Sequence, residues 1–196
     1  ALAIDALLQE VRRMGVISLR MLREAAGGTG QDRLAGDRQI VSALNCAIAD
    51  FIMQLSRATM SADSAQRLPD ILRIARYYET LSELALDISG VRRELATMPP
   101  PEAAKFGAQA EALLDSVDPS CGLRDRQAVE QALNALEDHY QQLKSRLLEA
   151  GAQGELPVAE MEVRLRVASM LRRAIEQAVK AALMLGVAVD ATIRRE

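Results

Sequence analysis

Residues 73–88 read RIARYYETLSELALDI and residues 166–181 read RVASMLRRAIEQAVKA, and laid over one another at a displacement of 93 they decide the fold. Arg73, Ala75, Glu83 and Ala85 then meet identical residues. Two apolar stripes of helical period can always be slid into some register, so a single match is weak ground for a duplication. Two further stripes repeat at almost the same displacement. Val41, Leu44, Ile48, Phe51 and Leu55 fall at 92 positions on Leu133, Leu136, Tyr140, Leu143 and Leu147. Val11, Met14, Ser18, Met21 and Ala25 fall at 92 on Ala103, Phe106, Ala110, Leu113 and Val117, and Gly15 lands on Gly107. Steps of three and four residues are the period of a helix face that packs on neighbouring helices.

Glycine and proline punctuate these periodic segments at Gly27, Gly28 and Gly30, at Pro99 to Pro101, at Pro119 with Gly122, and at Gly151, Gly154 and Pro157. With a softer break between Ser61 and Pro69 they divide the chain into six helices, approximately 2–26, 34–60, 64–97, 101–117, 123–150 and 156–193. Proline removes a helical hydrogen bond and turns its predecessor away from helix, so the triple proline ends the first copy. The expected architecture is all-α: a three-helix bundle over residues 1–98, a second over 99–196, related by pseudo-two-fold repetition and packed as one unit.

Composition agrees, since 49% of the residues are hydrophobic but only 3% aromatic, and Ala, Leu, Met, Glu, Gln and Arg favour helix over strand. A net charge of -3 and a pI near 5.4 give no basic face for nucleic acid. Cys46 and Cys121 are far apart, with no CxxC and no disulfide framework, which fits a reducing compartment. No stretch approaches the roughly 20 apolar residues that cross a bilayer; the longest candidate, Ala181 to Val189, reads as a buried helix end. The sequence opens on Ala1 and is expected to be a soluble fragment of something longer.

Glu79, Glu83 and Asp87, spaced i, i+4, i+8 on the third helix, are the acidic constellation of interest. Like charges along one face repel, and a bound cation would relieve them, as carboxylates on bundle helices do in metal sites. The alternative is a solvated acidic face offset by Arg73, Arg76, Arg92 and Arg93. His139 is the only histidine, beside Glu137 and Asp138, so a zinc site of the usual nitrogen and sulfur type cannot be assembled. No serine sits in a GxSxG elbow, and no catalytic residue is expected. Gly27-Gly28-Thr29-Gly30 lacks the Lys-Ser/Thr and the strand of a phosphate loop, and reads as a helix terminator. Adjacent helix positions diverge by about 100 degrees, so only one of Tyr77 and Tyr78 can centre on a core stripe, and Tyr78 fits the Leu68, Ile71, Ala75 series. The methionines, Met53 among them, read as core filling.

The 73–88 string resembles the signature helix of PhoU-like proteins, in which an aliphatic-Ala-x-x-Leu-Glu-Arg-x-Gly-Asp-x-Ala-x-x-Ile pattern recurs. Here it reads Ile74, Ala75, Tyr78, Glu79, Thr80, Ser82, Glu83, Ala85 and Ile88. Arg13-Met14, the Gln54-Leu55-Ser56 end of the second helix and the doubled plan are similar to that family as well, so the resemblance spans the chain. It is nearest to the PhoU-like domain following the membrane part of bacterial sodium/phosphate cotransporter-type proteins. That resemblance implies a non-catalytic regulatory domain on the cytoplasmic side of the inner membrane, contacting the transmembrane transporter portion of its own protein and signalling proteins. Two other readings stand beside it: a metal-binding phosphate sensor in which Glu79, Glu83 and Asp87 hold a cation that recruits the anion, and an oligomerising bundle, such as a homodimer, seamed by the apolar stripes left over after intramolecular packing. The resemblance also implies iron or zinc at an acidic motif in each repeat, and there this chain departs. Glu79 and Glu83 keep two carboxylates in the first repeat, with Glu for the usual Asp, whereas Arg172, Glu176 and Lys180 stand opposite Glu79, Glu83 and Asp87 in the second. An Arg-Glu-Lys row neutralises its own carboxylate and repels a cation, so the second repeat is not expected to hold metal. The halves carry opposite charge on corresponding faces, which suits pairing with each other or with another subunit.

Overall fold

The computed structural model describes residues 2–57, 61–95, 99–122 and 125–193, with side chains to residue 190. Six helices follow one another: α1 (Leu2–Gly27), α2 (Gln31–Ser56), α3 (Ala62–Arg92), α4 (Pro101–Ser116), α5 (Arg126–Ala152) and α6 (Val158–Ile193). Local chemistry sets their ends. Gly30 caps α2 in the left-handed region, at φ 64°, which a side chain would resist. Ser61 starts α3 by accepting from the Ser64 amide, and Asp125 starts α5 by accepting from the Gln127 amide. Proline stands at the first position of α4, where its missing N–H costs nothing.

Three differences from the sequence-based bounds have local causes. The Ser61 cap draws the start of α3 forward to Ala62, and Pro69 lies inside the helix, as the expected span from 64 has it. The α2 helix begins three residues early, directly on the Gly30 cap, and ends at Ser56. The third helix ends at Arg92, short of the expected 97, with 93–95 not helical, and the fifth begins at Arg126 behind the Asp125 cap instead of at 123; the remaining expected helical positions 58–60, 96–97 and 123–124, and the repeat boundary after 98, lie outside the described residues.

The two long helices α3 and α6 pack on each other over the most extensive interface of the molecule. Around α3 stand α1 and α2; around α6 stand α5 and α4, the last touching α6 far less than α1 touches α3. The buried stripes are largely those of the sequence: Val11, Met14, Ser18, Met21 and Ala25 on α1, and Leu136, Tyr140, Leu143 and Leu147 on α5. On α2 the stripe turns away from expectation. Ile52 goes in and Phe51 comes out, and Ile40, Phe51 and Met53 are exposed. Met53 is therefore not core filling. Nor is the most apolar long segment Ala181–Val189: α2 is itself long and apolar enough, by length and composition, to cross a membrane. One edge of it, through Leu34, Val41, Ile48 and Ile52, is buried in the bundle.

Polar ties fix the helices in register. The Ser18 hydroxyl donates to the Tyr78 carbonyl, joining α1 to α3. Arg20 of α1 donates to the buried Asp37 of α2 at 2.8 Å, and Arg23 of α1 reaches Asp115 at 2.8 Å and Asp118 at 3.3 Å, tying the first half to the second.

Candidate functional site

The acidic row of α3 does not stand free. Asn45 of α2 donates to Glu79 Oε2 at 2.7 Å, and Arg76 donates to the same oxygen at 2.9 Å. Arg38, also from α2, lies 2.9 Å from Glu83 Oε1 and 3.7 Å from Glu79 Oε1, so one guanidinium serves both carboxylates. Each step of four residues turns a helix face by about 40 degrees, which carries the row out of the core. Glu79 is buried, Glu83 half-buried and Asp87 exposed. Among the described residues no group of three Asp, Glu, His or Cys side chains is gathered as for a metal ion. As arranged, the row does not fit iron or zinc, because Arg38 holds the position between the two inner carboxylates where a cation would sit.

In the second half Arg172 donates to Glu137 of α5 at 3.1 Å and to Glu176 at 2.9 Å, with its guanidinium 4.9 Å from the Tyr140 ring centre. Lys180 is exposed. Glu137 occupies the position of Asn45, and Arg172 that of Glu79. The same contact between the second and third helices of a repeat is thus made twice, with donor and acceptor exchanged. Among the described residues the two faces do not pair with each other; each closes within its own three helices.

The structure shows two cavities that the sequence reading missed. The first, of about 570 Å3, lies where α4 stands off from α6 and includes Ala26, Gly27, Arg92, Ala104 and Leu171 in its lining. The second, of about 420 Å3, lies under the α4–α5 connection and includes Arg12, Tyr78, Asp118, Pro119 and Leu185. Their linings correspond: at displacements of 92 and 93 Arg12 falls on Ala104, Tyr78 on Leu171, and Asp118 and Pro119 on Ala26 and Gly27, while Leu185 stands 93 beyond Arg92. One location in the repeated unit is therefore a chamber holding Arg12, Tyr78 and Asp118 in one copy and a wider one in the other, where those positions are Ala104, Leu171 and Ala26 and the charged lining, Arg23, Arg92, Glu111 and Arg164, comes from other positions.

Side-chain volume explains the difference in size. Tyr78 and Pro119 close on Gly15, where an added Cβ would lie 2.7 Å from Tyr78 Cζ and 2.7 Å from Pro119 Cγ. At Gly107 a Cβ would meet nothing within 4 Å, because Leu171 and Gly27 stand where the tyrosine and proline do in the other copy. The Tyr78 ring is fully buried, and its hydroxyl has no hydrogen-bond partner among the described residues. Burial pushes this phenol well above its ordinary value; the Asp118 charge adds to the shift and the Arg12 charge opposes it. For Asp118 burial also works upward, but hydrogen bonds from Ser120 and Arg23 outweigh it and hold the carboxyl below its usual range. The pairing of these cavities was present in the repeat register, since Arg12 over Ala104 and Tyr78 over Leu171 can be read by counting; that the positions line a chamber depends on how α4 and α6 separate.

No protein-family model matches the chain, and no curated protein matches it in sequence. Among solved structures, PhoU from Pseudomonas aeruginosa is similar over 96% of this chain and 94% of its own, with a TM-score of 0.69 at 13% identity. Six helices in two sets, with α3 and α6 at the centre, thus have a PhoU-like fold.

Proposed function

We propose that this chain is a non-catalytic regulatory module of phosphate homeostasis, acting by protein contact. The observation that carries this reading is the likeness to PhoU along nearly the whole of both chains. In its finer form, the chain is the cytoplasmic domain of a sodium-dependent phosphate transporter-type protein, held at the inner membrane and contacting the transporter portion. The outward face of α2 suits such a contact. Gly36, Ile40, Ala43, Ala47 and Phe51 follow one another at steps of four, three, four and four, and all are exposed. Small residues along such a stripe let a second helix approach closely. Removing residues 1–196 from the encoding gene should alter phosphate uptake or the phosphate-starvation response in cells with ample phosphate; an unchanged response in both overturns the reading.

The same stripe favours a second reading, a bundle that pairs with its own copy through α2. Size measurement in solution decides it. Ile40→Asp with Phe51→Asp should turn a dimer into a monomer, and a wild-type chain that is monomeric at high concentration removes this alternative.

A further inference from the structure

The smaller cavity contains hydrogen-bonding capacity that the protein does not use. Tyr78 offers a buried donor with no partner among the described residues, and buried polar groups are seldom left so. Arg12 of α1 is half-buried, lines the same chamber and makes no hydrogen bond or ion pair among the described residues. The acceptors nearby are already engaged or lie at the rim. Asp118 accepts from Arg23 and from the Ser120 amide, and Asp190 is exposed. Arg126, which also lines the chamber, donates to the Leu183 carbonyl and stands 3.6 Å from Glu130. The unused groups are thus a guanidinium and a neutral phenol, both donors. At about 420 Å3 the chamber has the capacity of a small-molecule site and far exceeds one water molecule.

The corresponding chamber in the other copy sharpens the point. There Ala104 and Leu171 replace Arg12 and Tyr78, while Arg23, Arg92 and Arg164 line the chamber from other positions, so these two donors in particular are not a by-product of the repeated fold. A purely structural role for this location needs neither of them.

We propose that the chamber between α1, α3, α6 and the α4–α5 connection binds a small oxyanion, a phosphoryl or carboxylate group. Its oxygens accept from the Tyr78 hydroxyl and the Arg12 guanidinium, and the charge of Arg126 in the same lining strengthens the field. Charge-assisted hydrogen bonds from a guanidinium suit either group. The site is separate from the α2 face of the proposed function, and neither depends on the other.

The test uses the whole chain labelled with 13C at tyrosine Cζ. Only Tyr77, Tyr78 and Tyr140 are present, so three resonances report, and Tyr78→Phe identifies its own. Inorganic phosphate and succinate are titrated to millimolar concentration against chloride at equal ionic strength. A saturable shift of the Tyr78 resonance by either anion is expected; phosphate alone identifies the phosphoryl form, succinate alone the carboxylate form. Arg12→Gln should weaken the binding about tenfold, as the loss of one charged hydrogen bond would, while circular dichroism shows the helices intact. Tyr78 resonances unmoved by both anions, or a shift of undiminished affinity in Arg12→Gln, would overturn the proposal. Neither result bears on the gene-deletion phenotype.

Discussion

Arg23 of α1 donates to Asp115 of α4 at 2.8 Å, and the two residues are separated by 92 positions, the displacement that superposes the first two helices of one half on those of the other. When two equivalent positions of a repeated unit touch, the contact lies close to the axis relating the units. The two halves are joined there by opposite charges on sites that correspond, and the nearby Asp118 shares the same arginine.

Equivalent glycines should respond oppositely to the same substitution. Gly15→Ala drives a methyl group into Tyr78 and Pro119 and should cost about 1–3 kcal/mol, the range for overpacking a closed core. Gly107→Ala enters open space in α4 and should stabilise by about 0.4–1 kcal/mol through the loss of unfolded-state freedom. Urea unfolding of the two variants measures both signs.

Replacing Tyr78 by Phe removes only an unpartnered hydroxyl, so stability at neutral pH should stay within about 1 kcal/mol of wild type or rise. The alkaline limb separates the two proteins. The folded state raises this phenol, so its contribution is complete below the unfolded value of about 10 and is lost as pH climbs beyond it. Melting temperatures above that pH should fall faster for wild type than for Tyr78→Phe; parallel falls would contradict the assignment.

Asp118 carries the opposite sign. Its carboxyl is lowered in the folded state, so its stabilisation is present above about 4, the unfolded value, and disappears as pH falls through the lower folded one. Asp118→Asn should cost about 1 kcal/mol at neutral pH, a modest figure for a partly exposed ion pair. The difference from wild type should vanish in acid, as denaturation curves at several pH values would reveal.

The acidic row is predicted to bind no stoichiometric iron or zinc while Arg38 is in place. Elemental analysis of protein purified without chelator checks this, and Arg38→Ala exposes Glu79 and Glu83 to any cation. Metal found at one equivalent in wild type and lost in a Glu79→Ala/Glu83→Ala variant would show that the arginine yields its position.

Much of the fold could be read because its determinants are local. The positive-φ Gly30, the Asp125 cap and Pro101 mark helix ends within a turn, and the stripes of α1 and α5 enter the core as their spacing requires. What could not be read depends on how one helix is rotated against another. A small turn of α2 exchanges Phe51 for Ile52 at the core and brings Arg38 and Asn45 over the α3 carboxylates. Nothing in the spacing of Glu79, Glu83 and Asp87 announces a countercharge from a residue some 45 positions upstream of Glu83. The reversal to Arg172 was visible in the alignment of the halves; its partner Glu137 became apparent only with α5 laid against α6.

The outward faces of α2 and α5 differ, and the difference bears on the proposed pairing of copies. Where α2 exposes Ile40, Ala43, Ala47 and Phe51, the equivalent Ala132, Ala135, His139 and Leu143 of α5 are half-buried or buried, and α5 exposes Glu130, Asn134, Asp138, Gln141 and Lys144, with Leu148 as an apolar exception. An open fibre grows only when a surface on one end fits a different surface on the other. Pairing of copies through α2, the alternative proposed above, would bring two like apolar flanks together and end at two, because the outward face of α5 is not its match.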